Sequence, residues 1–269
     1  MCYIHIFFYF YKMKSLKLIL LFVFCSVSAQ KSLPFDSLKL KDVQDFFADD
    51  YGNIYLYKNK DFSFTKYDSL GKQQGRIMMT LPFRVQSVQN PLNIVLFSEN
   101  TQELKFLDQN LNEIQKVDFR QKFGFVKSAY AEDLLQIWLL DESTKRLIQY
   151  NFRNDFIINS YPVNLDFDRI KAMLVFENLL YTISENLFSV YNFKGEKIFE
   201  KEIANPQKLY RENSSIYIIA QNLIEKFSFP DSCEMVFLRE NSQFVDKNSS
   251  SYFELKQGKL YIYKLKNKQ

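Results

Sequence analysis

Proton transfer near neutrality and nucleophilic attack need histidine or an activated cysteine, and this chain holds few of either. Its one histidine is His5, and its three cysteines are Cys2, Cys25 and Cys233. From residue 30 onward no histidine remains, which excludes Ser-His-Asp and Cys-His arrangements and histidine metal centres from that stretch. Cys233 has no basic neighbour to stabilise a thiolate and reads as an inert small residue in an outer strand. No phosphate-cradling loop, G-x-G-x-x-G or H-E-x-x-H occurs. Asp49, Asp50 and Asn53 are oxygen donors, but EF-hand spacing and its terminal glutamate are missing, so a turn explains them. The pairs Asp166/Asp168 and Glu132/Asp133 have the residue types for glycoside hydrolysis, yet paired acids are ordinary on solvated loops. Trp138, the one tryptophan, lies inside an apolar run and reads as core rather than a sugar platform. The expectation is therefore no catalytic residue, no metal and no cofactor.

The elements that would position any site come from a repeat. An apolar strand returns six times: Ile54-Tyr55-Leu56-Tyr57, Ile94-Val95-Leu96-Phe97, Ile137-Trp138-Leu139-Leu140, Leu180-Tyr181-Thr182-Ile183, Ile216-Tyr217-Ile218-Ile219 and Leu260-Tyr261-Ile262-Tyr263. The intervals run from 36 to 44 residues. An aromatic follows 11 to 13 residues after each of the first five, at Tyr67, Phe106, Tyr150, Tyr191 and Phe227. A turn segment comes next each time: Asp68–Gly71, Asp108–Leu111, Asn151–Asn154, Asn192–Gly195 and Ser228–Asp231. Asp, Asn or Ser at the first turn position bonds its own backbone, and Gly or Asn tolerates positive φ. Upstream strands such as Val85–Val88 and Lys127–Tyr130, and downstream ones such as Arg76–Thr80 and Lys197–Lys201, complete four strands per unit. No stretch needs a helix.

These units predict an all-β fold, a single β-propeller of six blades over residues 30–269. The last repeat begins at Leu260 and leaves no room for two further strands. Ser32–Lys41 is expected to supply an outer strand to the last blade and close the ring. A five-bladed ring with an appended hairpin, or an open solenoid, are the alternatives.

Asp49-Asp50-Tyr51-Gly52-Asn53-Ile54-Tyr55-Leu56 resembles the blade-opening D-x-x-G-N-[ILV]-[YW]-[VL] segment of six-bladed propellers of the NHL type. The likeness covers the repeat framework of residues 46–265, with the Gly-Asn pair clear only in the first unit. It implies architecture and leaves the ligand open, because such propellers serve as scaffolds, sensors and enzymes.

In that architecture Arg84, Lys127, Arg169 and Lys208 start four successive innermost strands, about ten residues before the apolar marker. They are expected to converge on one mouth of the channel as a basic rim for an anionic ligand or acidic partner loop. Strand starts near solvent in a lysine-rich chain give the same spacing without any such role.

Composition sets the broad class. At 47% hydrophobic and 25% charged the chain is no disordered segment, and 28 Phe with 17 Tyr favour sheet. Met13-Lys14-Ser15-Leu16-Lys17, the apolar Leu18–Phe24 and Val27-Ser28-Ala29 have the layout of a secretory signal whose apolar core is too short to span a bilayer. Residues 1–29 are expected to be removed, with Met13 the true start and Gln30 the mature N-terminus. Phe24 ahead of Cys25 argues against a lipid anchor. Removing Lys12, Lys14 and Lys17 takes the formal charge from +4 to about +1, which leaves no case for nucleic acid. The reading is an exported bacterial envelope protein, periplasmic, outer-membrane-associated or extracellular. It is a non-enzymatic monomer without a stable membrane span, and its partner is a protein or a glycan. A hydrolase or lyase acting on an extracellular glycan or lactone at the channel mouth is the rival class.

Overall fold

The apolar runs are continuous because the strands they form are covered on both faces. Ile54–Lys58, Ile94–Ser98 and Gln136–Asp141 are buried almost throughout. Fourth strands such as Gln73–Met78 and Lys197–Glu202 are half solvated and alternate between partly covered and exposed residues. The computed structural model describes Lys31–Ser32 and residues 40–265; the leader assigned to residues 1–29 lies outside them.

The chain is a six-bladed β-propeller of antiparallel four-stranded sheets. The innermost strands of blades 1 to 6 are Asp45–Ala48, Arg84–Ser87, Val126–Ala131, Ala172–Phe176, Pro206–Glu212 and Phe244–Lys247. Each of the first five blades proceeds outward in chain order. One 3-10 turn, Phe167–Arg169, precedes the innermost strand of blade 4. No helix among the described residues is long and apolar enough to cross a membrane.

Six apolar clusters occupy the interfaces between blades. Period-two alternation divides each strand between two of them. In blade 1, Ile54 and Leu56 face blade 6, while Tyr55 and Tyr57 face blade 2. The smallest buried set lies between blades 5 and 6: Ile219, Ile224, Phe237 and Val245, edged by partly buried tyrosines.

Blade 6 corrects the sequence reading. Leu260-Tyr261-Ile262-Tyr263 belongs to the third strand, Lys259–Lys264, and the second strand is Ser251–Lys256. Glu254 interrupts that second strand's apolar run; it is buried, bonded to Ser242 Oγ and Tyr263 OH. Only one strand is therefore missing, and the chain's start supplies it: Lys31 pairs with Ile262 and Ser32 with Tyr261. The pairing begins one residue earlier than expected. Residues 33–39 of the anticipated strand lie outside the described residues, and Leu40 and Lys41 sit in a turn.

Side chains finish the closure. Asp49 Oδ1 accepts from the backbone N–H of Tyr51 and Asn53, and Oδ2 from Asn53 Nδ2 and Tyr55 OH. This fully used carboxylate holds the turn in which Gly52 has φ +85°. The turn then grips blade 6: Asn248 Nδ2 donates to Asp49 O at 2.8 Å, and Ser249 N to Asp50 Oδ1 at 2.8 Å. Asn248 is 2% exposed, buried in this latch.

Candidate functional site

The six innermost strands enclose a channel of about 1150 Å³. Arg84, Lys208, Arg211 and Lys247 face it together with Asp45, Glu132, Asp133 and Asp246. Strand register decides which of the expected cations are equivalent. Arg84 lies opposite Phe97 and Lys208 opposite Ile219, matching positions of the second strands. The same position holds Asp45 opposite Tyr57, Ser128 opposite Leu140 and Ala172 opposite Ile183. Lys127 is the extra residue of a bulge between Val126 and Ser128, and Arg169 sits in the turn before its strand. Arg84 and Lys208 thus share a position, while Lys127 and Arg169 are displaced from it.

Each of the four cations already has partners. Arg84 Nη2 bonds Glu99 Oε2 at 2.8 Å, and Nη1 donates to Lys171 O of blade 4 at 2.7 Å. Lys127 Nζ meets the other oxygen of Glu99 at 2.9 Å. One carboxylate and one backbone carbonyl therefore tie blades 2, 3 and 4 together. Arg169 pairs only with Asp166, at 3.1 Å, and its side chain is 63% exposed.

Lys208 is the most enclosed, its side chain 12% exposed. Its ammonium lies 2.7 Å from Asp45 Oδ1, 3.5 Å from Asp246 Oδ2 and 2.5 Å from Phe46 O, and 4.0 Å over the Phe47 ring. Asp246 also accepts from Ala48 N at 3.3 Å, so blades 5, 6 and 1 meet in this cluster. Burial pushes the Lys208 ammonium's pKa down, but Asp246 and Asp45 more than offset this and the net shift is upward. Burial raises Asp45 despite Lys208 beside it, and raises Asp246 to about 6 against the same opposing charge. Two acids around one ammonium leave one carboxyl undercompensated.

A further buried cation, Lys247, ends the innermost strand of blade 6. It is 1% exposed, bonds Glu212 Oε2 at 2.9 Å and lies 4.3 and 4.1 Å over the rings of Tyr210 and Tyr217. Burial pushes its pKa down, and Glu212 opposes that. The repeat placed Arg84 and Lys208 at the starts of innermost strands, and gave no sign of Glu99, Asp45, Asp246 or Lys247 beside them. Glu99 follows the second strand of blade 2 directly, a place the repeat locates, whereas the other three recur in no other blade.

The remaining candidates have structural partners. Trp138 is 4% exposed and donates Nε1 to Glu132 Oε2 at 2.9 Å. Cys233 is half-buried and lies 2.9 Å from Glu225 Oε2; burial, with that carboxylate, pushes its thiol up to about 12. Among the described residues no three His, Cys, Asp or Glu side chains gather as a metal ion requires.

No family model matches the sequence, and no curated protein matches it. Solved structures match in fold. Streptogramin B lyase is 12% identical, with 87% of this chain and 96% of that chain covered, at a TM-score of 0.52. A catalytically inactive virginiamycin B lyase from Staphylococcus aureus, with quinupristin, is 10% identical over 89% of each chain, at 0.51. PorZ, a surface component of the type-IX secretion system of Porphyromonas gingivalis, is 13% identical, covering 87% of this chain and 34% of that one, at 0.52. At such identities the likeness establishes the fold alone.

Proposed function

We propose that this propeller, NHL-like in its blade openings, is exported and serves as a non-enzymatic binding or scaffold module in the cell envelope. The observation that carries this reading is the pairing of cations on and beside the channel wall. Arg84, Lys127, Lys208 and Lys247 each bond to a carboxylate, which suits a rigid frame more than groups held ready for proton transfer. The layout of residues 1–29 supports export, and a bacterial surface component of the same fold is in keeping with that setting. The partner is a protein or a glycan, bound by a monomer. Arg84 and Arg169, the more exposed of the four cations, form the basic side of the binding rim; Lys127 and Lys208 support it from within.

A lyase or hydrolase acting on a glycan or lactone is the second reading. It is favoured by Asp246, a channel-facing carboxyl whose pKa is raised to about 6 by burial. Crosslinking in cells of the native host separates the two. A photoreactive residue at Arg169 should give a defined adduct in the envelope fraction, and one at Arg76 on an outer strand should not. Adduct formation should drop when Arg84 is changed to Glu, and should survive Asp246→Asn. Recovery of the protein in the cytoplasm, or identical adducts from both positions, would overturn the binding-module reading.

A further inference from the structure

A second cavity, of about 280 Å³, lies between blades 3 and 4. Trp138 lines it, 5.2 Å from the Phe193 ring and 6.4 Å from the Tyr161 ring; those two rings lie 4.5 Å apart. Phe176 also lines it, with the Arg211 guanidinium of blade 5 lying 4.6 Å over its ring. The polar side is organised too. Glu132 Oε2 receives Trp138 Nε1, Gln149 Nε2 donates to Gln136 Oε1 at 2.9 Å, and Asn159 Nδ2 to Gln149 Oε1 at 2.8 Å.

That network leaves particular groups uncommitted among the described residues. Glu132 uses only Oε2, and Glu177 and Asn178 use neither side-chain polar end. Arg211 enters no ion pair among the described residues, unlike Arg84, Lys127, Lys208 and Lys247; it lies over the Phe176 ring and acts electrostatically on the Tyr130 hydroxyl, which Glu132 also faces. A guanidinium and two carboxylates therefore line one small cavity without neutralising each other. Glu132, Glu177 and Arg211 are exposed at the cleft, so a ligand that engages all three must offer both donors and acceptors. A neutral ring bearing hydroxyls satisfies the set. Its C–H faces lie on Tyr161 and Phe193, its hydroxyls donate to the carboxylates, and its oxygens accept from Arg211, in charge-assisted bonds.

We infer that this interblade cleft is a binding site for a neutral saccharide, with Tyr161 and Phe193 as the platform and Glu132 and Arg211 as the polar clamp. Its size is at the small end of small-molecule sites, room for about one or two sugar rings. Glu132 and Arg211 also face the central channel, so a longer glycan can continue from the cleft to the channel mouth. The inference rests on the protein being a binding module, but it concerns a different site from the basic rim.

Trp138 is the only tryptophan of the chain and lines the cleft, so its fluorescence reports occupancy directly. The purified protein is titrated with neutral trisaccharides of glucose, mannose, galactose and N-acetylglucosamine, and with trigalacturonate and trialanine as comparisons. At least one neutral trisaccharide should give a saturable change. Arg211→Gln and Tyr161→Ala should each weaken it about tenfold or more, and Arg76→Gln on the outer strand of blade 1 should not. Arg211 is exposed, so its variant stays folded even where Tyr161→Ala does not. Failure of every neutral sugar, tighter binding of trigalacturonate or trialanine, or an unchanged titration in Arg211→Gln would overturn the inference. Because the titration uses purified protein, its outcome is independent of where the protein resides in the cell.

Discussion

Lys208 holds three blades through one ammonium, and its removal should be far costlier than that of the other expected cations. Lys208→Met leaves Asp45 and Asp246 buried without their counter-charge, a loss of about 3–5 kcal/mol. For a domain of this size that is roughly 10 °C in melting temperature. Arg169→Gln removes an exposed pair and should change stability by about 0.5 kcal/mol or less. Equal melting temperatures for the two variants would show that the cluster does not clamp the ring. Asp246 gives this cluster a pH signature as well. Its folded pKa, about 6, lies above its ordinary 3.8, so between those values the folded state binds more protons than the unfolded one. Stability from this group is therefore greatest at low pH, falls as pH rises from about 4 to 6, and is flat beyond. Asp246→Asn still accepts from Ala48 N and should flatten that slope, by an amount on the order of a few kcal/mol across the window, measured by denaturant unfolding. An identical slope in both proteins would rule out Asp246 as its source. Lys208, the cluster's one cation, was visible in the sequence because a Lys or Arg stands near the start of four successive innermost strands. The acids beside it come from blades 1 and 6, some 160 and 40 residues away, and no local pattern announces such a meeting.

Five blades were legible because each second strand is buried on both faces and so must be apolar throughout. The sixth was misread by one strand, because Glu254 replaces an apolar residue and satisfies itself through Ser242 and Tyr263. The turns after the third strands were equally legible where an Asx residue organises them. Asp68 Oδ1 accepts from Leu70 N and Lys72 N, Asp108 from Asn110 N and Asn112 N, and Asn192 from Lys194 N and Glu196 N. Blade 6 borrows its outer strand and meets blade 5 across the smallest apolar cluster, so the ring should open there first. A chain beginning at Leu40 keeps that buried residue and lacks the borrowed strand. It should melt roughly 5–10 °C lower, a loss of about 2–3 kcal/mol, and aggregate through the bared Lys259–Lys264 edge. Hydrogen exchange in the full chain should likewise be fastest in blade 6. An unchanged melt in the shortened chain would mean that the polar latch of Asp49, Asp50, Asn248 and Ser249 closes the ring unaided.

At the scale of the whole molecule, ring closure and export meet at one point in the chain. The expected cleavage after Ala29 leaves Gln30 alone ahead of Lys31–Ser32, the strand that completes blade 6. An uncleaved leader would hold the apolar Leu18–Phe24 run within a few residues of that strand, tethering the closing edge to a membrane. Cleavage and closure should therefore go together. Protein recovered from the envelope of the native host should begin at or near Gln30 by intact mass. Blocking cleavage with Ala29→Phe should keep the chain in the membrane fraction and raise the protease sensitivity of blade 6, while blades 1 to 5 stay protected. A soluble cytoplasmic chain beginning at Met1 or Met13 would remove the basis for the envelope setting. It would leave the propeller and its interblade cleft to be explained by a ligand inside the cell.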